Sequence, residues 1–274
     1  MSNKLPADYH MHSHNSGDSV TPMEEMIKSS IEKGLSEICF TEHMDMDFPI
    51  FDEVPKDTFT LDTDSYRNEL LSYREKYKDQ INIKFGVEIG MQTQVADENT
   101  AYSKKYDFDF IIASMHLVDK MDPYYPYLWE NADEMAVMDR YFNLTIENLR
   151  RFDNFDVLGH LDYIVRYTPS KGQNYSYARY KEAIDEILNI IVKNKKGIEI
   201  NTKSLYIAGS HPNPHEDILR RYKELGGEIL TFGSDAHKPD GVGGAFTKAL
   251  EIAKSIGFMR YYTFEGRIPT SHEL

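Results

Sequence analysis

Seven of the ten histidines in this 274-residue chain sit at or just past short apolar runs: His10, His12, His14, His43, His116, His160 and His237. Carboxylates accompany them. Asp18 follows the first run, Glu88 ends the third, Asp162 follows His160, and Asp235 precedes His237. A single histidine is a common core residue, whereas a set at equivalent places in successive runs asks for a ligand. Imidazoles with carboxylates and no thiolate suit zinc, iron or manganese and argue against an all-oxygen calcium or magnesium cage. A tetrahedral ion takes about four ligands, so eight or nine converging side chains require two or three divalent ions. Water on such an ion ionises near neutrality instead of at a pKa of about 16, and adjacent ions neutralise phosphoryl oxygens. The chemistry this predicts is metal-assisted hydrolysis of a phosphoester or an amide, with a hydroxide held between ions as nucleophile.

The elements that must carry these residues can be read from periodicity. Apolar runs at 8–12, 37–41, 83–89, 108–114, 155–158, 197–201 and 228–233 are short and mostly rich in β-branched residues, as strands buried on both faces are. Helical patterns lie between them at 21–33, 64–78, 132–152, 177–195, 215–225 and 243–256. The first of these has Thr21 as N-cap, Pro22 at the first helical position and Gly34 as its stop. Alternating strands and helices imply parallel βαβ units. Seven strands fit a closed, somewhat deformed α/β (β/α)7 TIM-like barrel better than an open sheet, with residues 1–274 as one domain. In a parallel barrel every C-terminal strand end opens on one face, where active sites lie. Residues spread over most of the chain therefore converge on one pocket. His-x-His at 10 and 12 puts both imidazoles on one strand face, because the strand period is two.

Composition limits the partners. With 31 basic and 45 acidic residues the net charge is −14, a field that repels nucleic acid and anionic membrane. A small anionic substrate is still admitted, because bound cations dominate the local field. The one cysteine, Cys39, excludes an internal disulfide and reads as a small buried hydrophobe. No apolar run approaches a membrane span, and MSNKLPADYH lacks the apolar core of a signal peptide, so the expected address is cytoplasmic. Oligomeric state is not encoded in any pattern we read.

At these residues the sequence resembles a known family. Asp-Tyr-His-x-His-Ser, Cys-Phe-Thr-Glu-His, Gly-Val-Glu, Ser-x-His-x-Val-Asp, Gly-His-x-Asp and Gly-Ser-Asp-Ala-His, in that order, resemble the PHP (polymerase and histidinol phosphatase) superfamily, histidinol-phosphatase branch. The resemblance implies a distorted (β/α)7 barrel, a trinuclear metal site and hydrolysis of L-histidinol phosphate to L-histidinol and phosphate in histidine biosynthesis. It implies that His10, His12, Glu88 and Asp235 hold one metal, that Glu88 bridges to a second with His116 and His160, and that Asp18, His43 and His237 hold a third. Many relatives carry histidine where this chain has Asp18, and a carboxylate shifts preference toward manganese or iron. His14 lies outside this set.

Asp162, two residues past His160, is expected to face the pocket, as a proton donor to the leaving oxygen or as a carboxylate that orients a histidine. Asp235 and His237 complete the expected catalytic set. Arg166, just past that strand, is expected to clamp the phosphate, with His43 beside it. After the sixth strand relatives often carry Asn-Thr-Ser-Gly-Leu-Arg where this chain reads Asn-Thr-Lys203-Ser-Leu-Tyr206, so Lys203 supplies the charge as a point rather than a fork. The aromatic stretch 122–130 is read as a packed surface loop, with a pocket wall that stacks on an imidazole as the alternative. The rival functions are a phosphoesterase of the same family acting on a nucleotide or sugar phosphate, and a metal-binding module without turnover.

Overall fold

The computed structural model describes residues 6–50, 54–206 and 210–274, so the first five residues of the stretch read for a leader lie outside it. The strands are β1 (Asp8–Met11), β2 (Glu37–Met44), β3 (Asn82–Gly90), β4 (Phe110–Ser114), β5 (Val157–Leu158), β6 (Gly197–Asn201) and β7 (Leu230–Gly233). They pair in chain order, and every pairing is parallel. The ring closes because Asp235 N–H donates to His10 O (2.8 Å) and His12 N–H to Ala236 O (2.9 Å). Asp8 strengthens the seam, accepting from the N–H groups of Ser234 (3.0 Å) and Gly243 (2.9 Å). The result is a distorted, nearly closed α/β barrel.

Between the strands run α1 (Met23–Glu32), α2 (Thr63–Tyr77), α3 (Ala96–Lys105), α4 (Glu134–Leu149), α5 (Lys181–Lys193), α6 (Glu216–Glu224) and α7 (Phe246–Ile256). Helix α5 shows why they form. Ile184, Ile187, Leu188 and Ile191 recur at helical spacing and are all fully buried. Two elements are absent from the sequence reading. Helix α3 carries few apolar residues, and only Ala96 and Tyr102 among its apolar side chains are buried. The antiparallel hairpin β8 (Arg260–Glu265) and β9 (Ile268–Glu273) has one mostly exposed strand. The first helix also differs from expectation. Pro22 occupies its N-cap without a side-chain bond, and Thr21 Oγ1 instead donates to His237 O (2.8 Å).

The hairpin plugs the N-terminal end of the barrel. Gly266 N–H donates to Asp109 Oδ1 (3.1 Å), Arg267 N–H to Asp109 O (2.9 Å), and the Arg267 guanidinium pairs with Asp156. Inside, Phe110 packs between Tyr9 (ring centroids 5.0 Å) and Phe264 (4.9 Å), with buried Cys39 in the same cluster. Above this apolar base the interior turns polar. No helix among the described residues is long and apolar enough to cross a membrane. We predict that Phe110→Ala lowers unfolding stability by about 3–5 kcal/mol, the range for deleting a buried aromatic side chain. Urea denaturation measures it, and a loss below about 1 kcal/mol would mean that the base of the barrel is not packed as described.

Candidate metal centre

Local irregularity puts the first two imidazoles in place. The β1–β2 register slips, with Asp8 opposite Ile38 but Met11 opposite Phe40, so three steps on β1 match two on β2. A bulge of this kind re-aims side chains. Tyr9 packs in the barrel base while His10 and His12 reach the polar layer above it. On β3, Glu88 is fully buried at the centre of that layer. Its Oε2 lies 3.1 Å from His10 Nε2, 3.1 Å from His43 Nδ1 and 3.6 Å from His12 Nε2. Its Oε1 lies 3.0 Å from His160 Nε2 and 3.2 Å from His116 Nε2. One carboxylate thus faces two sets of imidazoles with its two oxygens.

Asp235 Oδ1 approaches the first set, 3.8 Å from His12 Nε2. Asp235 adopts φ +53°, a left-handed conformation that aspartate tolerates better than most residues. A third set lies toward the mouth, where Asp18 Oδ2 sits 2.9 Å from His237 Nε2 and 3.6 Å from His43 Nε2. All nine side chains expected to hold metal therefore converge. His14 does not, for its Nε2 lies 3.5 Å from Glu69 on the outer surface.

The donor set fits divalent cations on an observation of its own. His10 Nε2, His12 Nε2, His43 Nδ1, His160 Nδ1, Asp45 Oδ2 and Glu88 Oε2 are buried with no hydrogen-bond partner. Buried polar atoms are nearly always satisfied. Here several approach one another closely without hydrogen-bond geometry, as donor atoms aimed at common ions do. Triads that bring ligand atoms within 4.8 Å of one another include His10–His12–Glu88, Glu88–His116–His160, His12–His43–His237, His10–His160–Asp235 and His43–Asp45–His116.

The sequence reading missed the carboxylates behind the imidazoles. Glu199 Oε1 lies 2.6 Å from His10 Nδ1, and its Oε2 accepts from His160 N–H (3.0 Å). Asp45 Oδ1 lies 2.7 Å from His116 Nδ1. Glu42 accepts from Ser16 Oγ (2.5 Å), which lies 3.1 Å from His12 Nδ1. On His10, His116 and His12 the contact occupies Nδ1 and leaves Nε2 for the centre, the way carboxylates orient metal-binding histidines, whereas His160 is held through its backbone N–H. Two of the carboxylates occupy space that a glycine leaves. A Cβ on Gly233 would stand 2.0 Å from Glu199 Oε1, and one on Gly90 1.9 Å from Asp45 Oδ1. Strand alternation carried the signal, since Glu199 precedes Asn201 by two and Asp45 follows His43 by two.

Charge is balanced by opposing effects. Burial alone would raise the Glu88 carboxyl, yet the charges of His10, His116 and His43 carry it well below the usual range. Burial would lower His43, but Asp18 and Glu88 hold it up at about 9. Burial, reinforced by His43 and His237, pushes His12 well down. For Asp235, burial is outweighed by Lys203, His10 and Arg166, which lower it strongly. Positive charge is what this layer demands, and divalent ions entering it displace protons from the imidazoles.

A cavity of about 460 Å³ opens over the cluster. Arg166 and Lys203 both line it. Arg166 is anchored through Nε to Asn213 Oδ1 (2.9 Å), NH1 to Asp235 Oδ2 (2.9 Å) and NH2 to Asn201 Oδ1 (2.7 Å). Lys203 Nζ reaches Asp235 Oδ1 at 3.0 Å. Asp162 is not brought to the cavity. Its oxygens accept from Asn213 Nδ2 (2.7 Å), Tyr175 OH (2.9 Å) and His215 N–H (2.9 Å). Strand β5 ends at Leu158, so alternation no longer governs residue 162. The 122–130 stretch also departs from the preferred reading, because Asp122, Tyr124 and Tyr125 line the cavity beside Phe48, Phe59 and Tyr163.

A parallel barrel whose strand ends converge on imidazoles and carboxylates beside two fixed cations defines a metal-dependent hydrolase of the α/β-barrel class. The PHP domain family matches residues 8–203, and the chain belongs to that family, in its histidinol-phosphatase branch. It is 34% identical to the histidinol-phosphatase of Lactococcus lactis over 94% of each chain. It is likewise 34% identical to the "Probable histidinol-phosphatase" of Clostridium acetobutylicum, over 95% of this chain and 97% of that one. The crystal structure of the Lactococcus lactis histidinol phosphate phosphatase, complexed with zinc, L-histidinol and phosphate, superposes with a TM-score of 0.89 at 31% identity. That match covers 97% of this chain and 99% of that one.

Two outcomes follow for metal binding. Glu88→Gln, which removes the shared carboxylate, lowers divalent metal per folded chain in elemental analysis; unchanged content would contradict its central place. Gly233→Ala displaces Glu199 from His10 and weakens metal affinity about 10- to 100-fold in competition with a chelator.

Proposed function

We propose that this protein is a histidinol-phosphatase that hydrolyses L-histidinol phosphate to L-histidinol and phosphate. The observation that carries the reading is the convergence of the histidine–carboxylate cluster, Arg166 and Lys203 on one cavity. Its relatives' names and the zinc, L-histidinol and phosphate in the Lactococcus lactis structure support it.

His10, His12, Glu88 and Asp235 would hold one ion, Glu88 with His116 and His160 a second, and Asp18, His43 and His237 a third. Zinc, manganese and iron all suit imidazole–carboxylate ligands. Such ions, when bound, supply Lewis acidity toward the phosphoryl group and a water activated near neutral pH. The chain's own residues do the rest. Arg166 presents a guanidinium whose plane is set by Asn213, Asp235 and Asn201, and its remaining N–H groups bind phosphoryl oxygens. Lys203 adds a second positive charge, in place of the arginine expected at the position of Tyr206. Asp162 acts by position, holding Asn213, which in turn holds Arg166. Glu199, Asp45 and Glu42 keep the imidazoles in one tautomer and one orientation.

The substrate is a small ester, since the net charge of −14 disfavours nucleic acid. A cytoplasmic place in histidine biosynthesis belongs to the same proposal. A panel of phosphomonoesters tests it. Histidinol phosphate should be strongly preferred, and equal or better turnover of nucleotides or sugar phosphates would overturn the assignment. Asp235→Asn should bring phosphate release to background. Lys203→Ala should lower kcat/KM about 10- to 100-fold, the worth of a hydrogen bond to a charged group, and Lys203→Arg should restore most of it.

A further inference from the structure

Asp18 and His237 differ from the rest of the cluster in what carries them. His10, His43 and Glu88 lie on β1, β2 and β3, where the strand ladder fixes the backbone. Asp18 lies in the loop past β1, and His237 one residue beyond Ala236, whose bridge to Met11 closes the barrel. The Asp18 and His237 side chains are also 40% and 16% exposed, against 0% for His10 and Glu88. Loop residues at a wet mouth are the mobile part of a barrel. Something other than the ladder must keep these two 2.9 Å apart.

One short turn does so. Ser19 Oγ and Thr21 Oγ1 both donate to His237 O, at 3.1 and 2.8 Å, and use both lone pairs of that carbonyl. Both residues are buried, although Val20 between them is exposed. The turn is closed on itself, with His14 N–H donating to Thr21 O (2.8 Å) and Ser19 N–H to Ser16 O (3.1 Å). Ser16 Oγ accepts from His43 N–H at 3.0 Å. Residues 16–21 therefore carry Asp18 and fasten the backbones of His43 and His237. Past His237 the loop is pinned separately. Ser29 Oγ donates to Pro239 O (2.6 Å), and Lys33 Nζ to the carbonyls of Pro239, Asp240 and Val242 (2.9, 2.7 and 2.9 Å). Resting on the reading that Asp18, His43 and His237 hold a third ion, we propose that Ser19 and Thr21 are positioning residues for that ion, setting its affinity apart from the ions at Glu88 by holding the His237 backbone to the turn that carries Asp18. Without the two hydroxyls, His237 has to be brought to Asp18 as the ion binds, and that ordering subtracts from affinity.

The test withdraws zinc from the loaded protein with a chelator and follows zinc per chain against free zinc. Wild type is compared with Thr21→Val, with the double variant Ser19→Ala/Thr21→Val, and with Asp18→Ala, which marks the step belonging to the outer ion. Valine keeps the shape of threonine and removes the hydroxyl. The double variant should release the outer ion at free zinc about 10- to 100-fold higher than wild type does, with the other two steps unmoved. Thr21→Val should fall between them, and Thr21→Ser, which keeps a hydroxyl, should match wild type. Lys33→Met frees the far part of the loop without touching His237 and should leave all three steps in place. An unchanged outer step in both valine variants overturns the proposal. So does an equal weakening of all three steps, or a Lys33→Met protein that loses the outer ion as readily, since either would mean general loosening. A wild type that never holds more than two ions overturns the reading of the third site, and this proposal with it.

Discussion

Taking the Glu88 carboxylate fully out of water costs many kcal/mol unless positive charge meets it. Five imidazole nitrogens lie 3.0–3.6 Å from its two oxygens, and His10, His116 and His43 supply the charge that holds it ionised. Once they give up their protons, the same oriented rings are competent metal ligands. The same constraint that makes the layer expensive to bury therefore makes it a strong cation site. Everything around it serves either to place those rings or to keep them from turning.

Placement comes from strand ends, and orientation comes from a second ring of acids. Glu199 and Asp45 hold His10 and His116 from behind, each in space that a glycine on the neighbouring strand leaves open. Glu42 acts on His12 through Ser16. At the mouth, Asp162 fixes Asn213, Asn213 fixes Arg166, and Arg166 fixes Asp235, so the guanidinium and the carboxylate share one network. Tyr124, Tyr125, Tyr163 and Asp122 line the cavity as well.

Much of this was legible in the chain. Seven strands and their polar ends could be read because buried parallel strands leave a plain apolar signature, and because residues at their ends need no long-range information to be recognised. His10, His12, Glu88, His116, His160 and Asp235 are of that kind. Asp162 misled because the two-residue period was applied past Leu158, where the strand had already stopped. Thr21 misled because its hydroxyl serves the carbonyl of His237, more than two hundred residues away, instead of its own helix. Helix α3 and the β8–β9 hairpin were invisible because their contacts are mostly polar or at the barrel base. The role of residues 122–130 depends on which side of the barrel mouth the β4 loop covers, and no local pattern states that.

The central claim is that the imidazole–carboxylate layer acts through divalent ions. The most direct measurement is phosphate release from histidinol phosphate by protein stripped of metal with a chelator, before and after titration with zinc or manganese, with metal content followed in the same samples. The stripped protein should stay folded, release phosphate only at background, and recover in proportion to the metal it takes up. Stripped protein that turns over at the original rate, or metal uptake that restores nothing, would contradict it.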